Sequence, residues 1–294
     1  MFIATLVAPD GLKAGDISMA ADAVRGRAGP VVDGVACDVR FDEDPTGART
    51  ALQDALPTID IIVQIAADRR RSLIVADMDS TMITVECIDE LADYVGLKTE
   101  VAEVTERAMR GEIDFAGALR DRVALLAGMP ETTVAECLRE RVRIMGGAQA
   151  LIGTVRAHGG YALLVSGGFT HFTGPVASEI GFDRAVANRL VVRDGVLTGV
   201  TELPIVDADT KRVALLTEIA SQGLSLSKSL AVGDGANDIP MIQAAGLGVA
   251  YHAKPKTEAA ADARVKFGDL SVILYAMGFS KPSASDECWK IAGV

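Results

Sequence analysis

Two kinds of apolar pattern divide the chain. Up to about residue 70, short runs alternate between extended and helical character. Residues 2–7, 35–41 and 59–65 read as strands, and residues 19–27 and 45–56 as helices. Elements of this size and order predict a small α+β sandwich over residues 1–70, and the polar run 68–71 marks its end. From residue 72 the apolar runs are unbroken, and each ends on a polar residue. Leu73-Ile74-Val75-Ala76 leads into Asp77, Tyr161-Ala162-Leu163-Leu164-Val165 into Ser166, and Leu230-Ala231-Val232-Gly233 into Asp234. Strands covered on both faces have this pattern, so residues 71–294 are expected to form an α/β domain, a parallel sheet with helices on each face. Ligands of such sheets lie at the carboxyl ends of the strands, where Asp77, Ser166 and Asp234 are expected to meet.

Two insertions interrupt that pattern. About residues 86–146 carry helical periodicity over 100–110, 115–127 and 133–142, punctuated by Gly96, Gly111 and Gly128-Met129-Pro130. A stretch this long exceeds a crossover and is expected to form a helical cap over the crevice. Later, Asp194-Gly195 separates the apolar runs Leu190-Val191-Val192-Arg193 and Val196-Leu197-Thr198, a strong hairpin signal.

Composition narrows the function. Hydrophobic residues make up 49% of the 294 and aromatics 4%, so the core is aliphatic. A formal charge of -11 argues against nucleic acid as a partner, since such binding needs clustered Lys and Arg. The four cysteines, Cys37, Cys87, Cys137 and Cys288, are far apart and lack Cys-x-x-Cys spacing, which favours reduced thiols over a disulfide framework or thiolate metal site. Residues 1–9 lack a basic leader, and no apolar run approaches the roughly 18 residues a membrane span needs. The expectation is a cytoplasmic protein without membrane association.

Four motifs carry chemistry. Asp77-Met78-Asp79-Ser80-Thr81 puts two carboxylates two residues apart, so that one can be an ionised nucleophile and the other an acid/base. Gly233-Asp234-Gly235-Ala236-Asn237-Asp238 offers an oxygen-rich turn suited to Mg²⁺. Ser166-Gly167-Gly168, entering a helix near Phe169, makes an anion cradle from a hydroxyl and backbone N–H groups. Lys211 lies one turn into a helix starting near Asp209, where the dipole disfavours it unless it meets an anion. Each alone has an ordinary explanation: a solvated loop, a helix cap, a ligand-free glycine turn, a solvated lysine.

Taken in order, the motifs resemble those of the haloacid dehalogenase superfamily and, more narrowly, the phosphoserine phosphatases, from Ser72 to about Ala276. The resemblance implies a Rossmann-like fold and hydrolysis of O-phospho-L-serine, the last step of serine biosynthesis. Asp77 would attack phosphorus and form an aspartyl-phosphate, and Asp79 would protonate the leaving hydroxyl and then activate water. Mg²⁺ would be held by Asp77, the backbone carbonyl of Asp79, and Asp234, with Asn237 and Asp238 supporting the site. Ser166, the Gly167 N–H and Lys211 would neutralise phosphoryl oxygens. Glu86 matches the position that binds the substrate amine and Arg122 the one that binds its carboxylate, while Met109 and Phe115 match positions that shield the substrate. Phe115, Leu119 and Arg122 also share one helix face, although a pairing of Arg122 with Glu90 or Glu140 inside the cap explains it as well. The N-terminal unit resembles an incomplete ACT-type module, which implies amino-acid binding or dimerisation. A phosphotransferase passing phosphate to an alcohol, and a phospho-accepting signalling module, remain open at this point. His158, His171 and His252 are dispersed without ligand spacing.

Overall fold

The computed structural model describes residues 1–42, 44–109, 112–281 and 289–292. Arg110, Gly111, Cys288 and the side chain of Met109 lie outside the described structure. The N-terminal unit runs β1 (Phe2–Val7), α1 (Ala14–Ala23), β2 (Arg27–Val32), β3 (Ala36–Phe41), α2 (Pro45–Ala55) and β4 (Asp60–Ile65). This is a βαββαβ arrangement of the ferredoxin-like kind, antiparallel throughout in the order β2-β3-β1-β4. Its helices cover one face, where Leu6, Val39, Phe41 and Val63 pack with Ala20, Val24, Leu52 and Leu56. Asp44 caps α2 by accepting from the Thr46 and Gly47 N–H groups, with Pro45 in the first turn. One prediction changes here. The helix expected over residues 19–27 ends at Ala23, and Arg27 begins an additional strand, which completes the ACT-like order. β2 is an edge strand with almost every residue exposed and Pro30 in its middle, so no alternation imprints it.

Past β5 (Leu73–Ala76) come the four cap helices, α3 (Cys87–Tyr94), α4 (Lys98–Met109), α5 (Phe115–Ala124) and α6 (Glu131–Arg141). The chain returns through α7 (Ala148–Ala157), β6 (Tyr161–Phe169), α8 (Thr170–Ile180) and β7 (Arg184–Asn188). The hairpin β8 (Leu190–Arg193) and β9 (Val196–Thr201) follows, turning at Asp194 and Gly195 with φ of 51° and 75°, as the Asp-Gly pair predicts. Its outer strand leans on the cap: the Gly128 N–H donates to the Leu197 carbonyl at 2.8 Å and the Glu131 N–H to that of Gly195 at 2.9 Å. Then come α9 (Ala208–Ser221), β10 (Ser229–Gly233), α10 (Ile239–Ala244), β11 (Gly248–Tyr251), α11 (Pro255–Ala260), β12 (Ala263–Val265), α12 (Ser271–Ala276) and a small ladder of β13 (Phe279–Ser280) with β14 (Lys290–Ile291).

Strands β12-β11-β10-β5-β6-β7 are parallel. Alternate residues of the central strands enter two separate cores: Leu73, Val75, Leu163 and Ala231 on the α9–α10 side, Ile74, Ala76, Leu164 and Val232 on the other. That double burial is why their sequences read as unbroken apolar runs.

The two halves share one ten-stranded sheet through an antiparallel bridge, Arg264↔Ile61, between β12 and β4. Asp60, 2% exposed, accepts from the N–H groups of Lys266 at 2.7 Å, Phe267 at 3.2 Å and Gly268 at 2.7 Å. Arg69 pairs with Asp38 at 2.8 Å and donates to the Ala276 and Tyr275 carbonyls. Arg70 lies over the Phe279 ring, and Arg71 donates to Gln64 and to the Ser227 carbonyl. The basic run at the boundary is therefore a clamp between the units, and burial pulls the pKa of both Arg70 and Arg71 down.

Candidate active site

Asp77 follows β5 directly and Asp234 follows the neighbouring β10, so strand pairing alone carries both to the same edge of the sheet. Asp238, in the short turn after Asp234, joins them: Asp77, Asp234 and Asp238 each offer an oxygen within 4.8 Å of the others. The turn is tight. The Asp238 Oδ2 accepts the Gly235 N–H at 3.0 Å, and a Cβ on Gly233 would stand 2.4 Å from the Asp238 carboxyl carbon. Lys211 reaches in from the first turn of α9, whose N-cap is Asp207. Only 1% exposed, it donates to Asp238 Oδ1 at 2.7 Å and to Asp77 Oδ1.

One ammonium facing three carboxylates leaves the cluster short of positive charge. Burial, then the Asp238 charge, pushes Asp77 well up against the pull of Lys211. The same two causes push Asp234 up to about 6. Burial works against the Lys211 ammonium, but Asp238 and Asp77 more than offset it, so its pKa rises. An oxygen-only, carboxylate-rich donor set fits a hard divalent cation, which would relieve the repulsion. The pH consequence has a definite sign. Folded Asp77 and Asp234 hold protons above the ordinary value of 3.8 that the unfolded chain keeps. Stability in chelator is therefore lost as pH rises from about 4 through about 6. Thermal melts in EDTA should lose midpoint over that window more steeply for the native chain than for Asp234→Asn. Added Mg²⁺ should raise the native midpoint more at pH 7 than at pH 5, and parallel curves for the two proteins would contradict this assignment.

Although its charge adds to the pKa rise at Asp77, Asp79 stands outside the carboxylate trio. Its Oδ1 accepts the N–H of Cys87, the first residue of α3, at 2.9 Å, and the Ser166 hydroxyl lies 3.4 Å from its Oδ2. Burial raises its pKa and the Cys87 N–H opposes that. Ser80, the residue after Asp79, takes a left-handed φ of 55° and donates to Glu86 Oε1 at 2.7 Å. Ser166 is fully buried, and its Oγ accepts the Gly168 N–H at 2.8 Å. A Cβ on Gly168 would stand 3.0 Å from both Asp79 Oδ2 and Ser166 Oγ, so only glycine passes there without displacing the acid.

Above these groups, a cleft of about 270 Å³ is lined by Asp77, Asp79, Asp234, Gly167 and Asn237 below and by Glu86, Phe115, Leu119 and Arg122 from the cap. Ser166 and Lys211 lie buried beneath it. Crowding in the cleft, then the charge of Asp79, raises the pKa of Glu86, although its side chain stays open to solvent, which limits the rise. Arg122 donates from Nε to the Ala118 carbonyl of its own helix at 3.3 Å. Glu90 pairs with Arg141, and Glu140 with Arg139 and Tyr94. Neither cap acid that could have explained Arg122 is thus its partner among the described residues. Its charge faces Asp89, Glu86 and Asp79 across the cleft. Sequence reasoning overlooked Asp89, Thr105 and Lys254, which also line this space; Asp89 sits one helical turn beyond Glu86, a spacing that points to it. His171, given no role from sequence, meets Glu131 of the cap at 3.2 Å.

An acidic cluster at parallel strand ends, a buried lysine and a helical lid together define a cation-assisted hydrolase site. The family model for haloacid dehalogenase-like hydrolases matches residues 74–243, more than half of the chain, which therefore belongs to that family. A phosphoserine phosphatase from Albidiferax ferrireducens is 47% identical over 207 residues, covering 69% of this chain and 87% of its own. The crystal structure of a probable phosphoserine phosphatase from Vibrio cholerae superposes with a TM-score of 0.76 at 35% identity, over 94% of this chain and 86% of that one. A phosphoserine phosphatase solved as a phospho-aspartyl intermediate analogue superposes with a TM-score of 0.65 at 38% identity, over 70% and 98%. Within its family, the chain falls among the phosphoserine phosphatases.

Proposed function

We propose that the chain hydrolyses O-phospho-L-serine to L-serine and phosphate, the last step of serine biosynthesis, with Asp77 as nucleophile and Asp79 as acid and base. The observation that carries this reading is the meeting of Asp77, Asp234, Asp238 and Lys211 beneath a cleft whose roof carries Arg122, which among the described residues makes no carboxylate ion pair. Phosphoryl transfer depends on positioning and charge stabilisation more than on elaborate covalent chemistry. Ser166, the Gly167 N–H and Lys211 are assigned to the phosphoryl oxygens, and Asn237 supports that end of the site. Asp79 lies beside the Ser166 hydroxyl, on the side where a serine oxygen would leave and a water arrive. Glu86 takes the substrate amine, and the fork of Arg122 takes its carboxylate. Magnesium is the ion proposed, held by Asp77, the Asp79 carbonyl and Asp234 with Asp238 beside them. It would neutralise charge between carboxylates and phosphate.

Two tests address this reading. Arg122→Ala should lower kcat/KM for phosphoserine by about a hundred-fold or more, because the substrate carboxylate is left unpaired, while p-nitrophenyl phosphate loses little. Equal losses on both would make Arg122 a brace of the cap instead. EDTA should abolish turnover and Mg²⁺ restore it, in a panel that includes both phosphoserine enantiomers. We also assign residues 1–70 and 71–294 to separate domains, with the cap at about 86–146 and the first domain an ACT-like module that dimerises or binds an amino acid. Light scattering of the full chain with and without millimolar serine addresses both roles. The unpaired, buried thiols of Cys37, Cys87 and Cys137 fit a reducing, cytoplasmic setting.

A further inference from the structure

Asn188 ends β7 at the border of the hairpin insertion, 2% exposed. Its amide is used at both ends. Nδ2 donates to the Gly167 carbonyl at 2.7 Å, and Oδ1 accepts the Val206 N–H at 2.7 Å. The first contact grips the anion cradle. Gly167 and Gly168 share the peptide whose N–H holds Ser166 Oγ at 2.8 Å, so fixing its carbonyl also fixes the direction of that N–H. The register between β6 and β7 slips in this same segment, between Val165 and Phe169. Regular ladder pairing is therefore interrupted where the cradle needs an anchor. The second contact grips the chain one residue before Asp207, the N-cap of α9, and Lys211 follows one turn later.

We infer that Asn188 is a positioning residue for phosphoryl transfer: one buried amide sets the separation between the Ser166–Gly168 cradle and the Lys211 ammonium. The inference rests on the phosphatase reading and adds to it a residue that touches neither substrate nor metal. Without the amide, two segments of separate parts of the sequence lose their common spacer while each keeps its own elements. Groups that must converge on one phosphoryl tolerate little drift, since a displacement of about 1 Å can cost about a hundred-fold in rate.

Asn188→Asp keeps the acceptor for Val206 and sets a carboxylate against the Gly167 carbonyl, and Asn188→Ala removes both contacts. In the Mg²⁺-loaded full chain, each should lower kcat for phosphoserine about a hundred-fold, with KM rising by no more than about tenfold. Competitive inhibition by inorganic phosphate should weaken about tenfold, since its binding uses the cradle and the lysine together. Inhibition by L-serine, which engages the cap side, should stay within about twofold. Thermal midpoints identify the folded fraction in each preparation. Equal weakening of phosphate and serine, kcat preserved in a folded variant, or failure of both variants to fold would each overturn the inference. The same measurements on p-nitrophenyl phosphate separate it from the substrate assignment. A native chain that hydrolyses this ester but not phosphoserine sinks that assignment, while the loss on Asn188 substitution still decides the positioning role.

Discussion

Asp77→Asn is expected to reduce phosphoserine turnover by at least about ten-thousand-fold, the scale on which loss of a covalent nucleophile registers. The substitution is nearly isosteric and changes the charge of one buried group. In the folded chain Asp77 is crowded by Asp238 and held by Lys211, with burial raising its pKa. Replacing it with a neutral amide removes repulsion from the trio, and Lys211 keeps Asp238 as a partner at 2.7 Å. The variant should therefore fold, and in chelator its thermal midpoint should equal or exceed that of the native chain. Activity and stability move in opposite directions, which separates loss of a nucleophile from loss of structure. The Mg²⁺-induced rise in midpoint should shrink as well, because one oxygen donor is gone. Residual turnover near the native level would remove Asp77 from the nucleophile's position.

What the sequence reveals of this molecule follows how locally each feature is encoded. The strands that end in Asp77, Ser166 and Asp234 are legible because burial on two faces forces unbroken aliphatic runs. The hairpin is legible because Asp194 and Gly195 both take positive φ, which few residue pairs accept. β2 is illegible for the opposite reason: Arg27 to Val32 faces solvent almost throughout, and no partner face selects its side chains. α3, at eight residues, is too short to separate from the rest of the cap by periodicity. The joint between the halves rests on Asp60 meeting backbone groups of residues 266–268, some two hundred positions away, and no local pattern encodes that. In the site, strand ends and the order of the motifs, which carries the family resemblance, place Asp77, Asp234 and Lys211 together, as the structure does. Asp238 reads as an accessory from sequence, yet it stands in the carboxylate trio and shares Lys211 with Asp77. Asn188 carries no signal at all, because its partners are main-chain atoms of two distant segments.

Asp79→Asn should divide the reaction into its two halves. The amide can still accept the Cys87 N–H through its oxygen, a bond now 2.9 Å long at Oδ1, so the loop and the start of α3 should keep their places. What disappears is the proton that Asp79, in the proposed role, would supply and later take back. Serine leaves as a strongly basic alkoxide unless it is protonated, so kcat on phosphoserine should fall by about a thousand-fold. p-Nitrophenolate leaves without that help, so Asp77 should still be phosphorylated by p-nitrophenyl phosphate at a rate near native. Hydrolysis of the aspartyl-phosphate would then lack its base. Rapid mixing should accordingly give a burst of p-nitrophenol equal to the enzyme concentration, followed by slow steady turnover. Unchanged turnover of phosphoserine would exclude Asp79 as the acid and base. Equal loss on both esters with no burst would move its role from proton transfer to holding the cleft in shape, and would leave the Ser166 hydroxyl, 3.4 Å from its Oδ2, as the group whose orientation it governs.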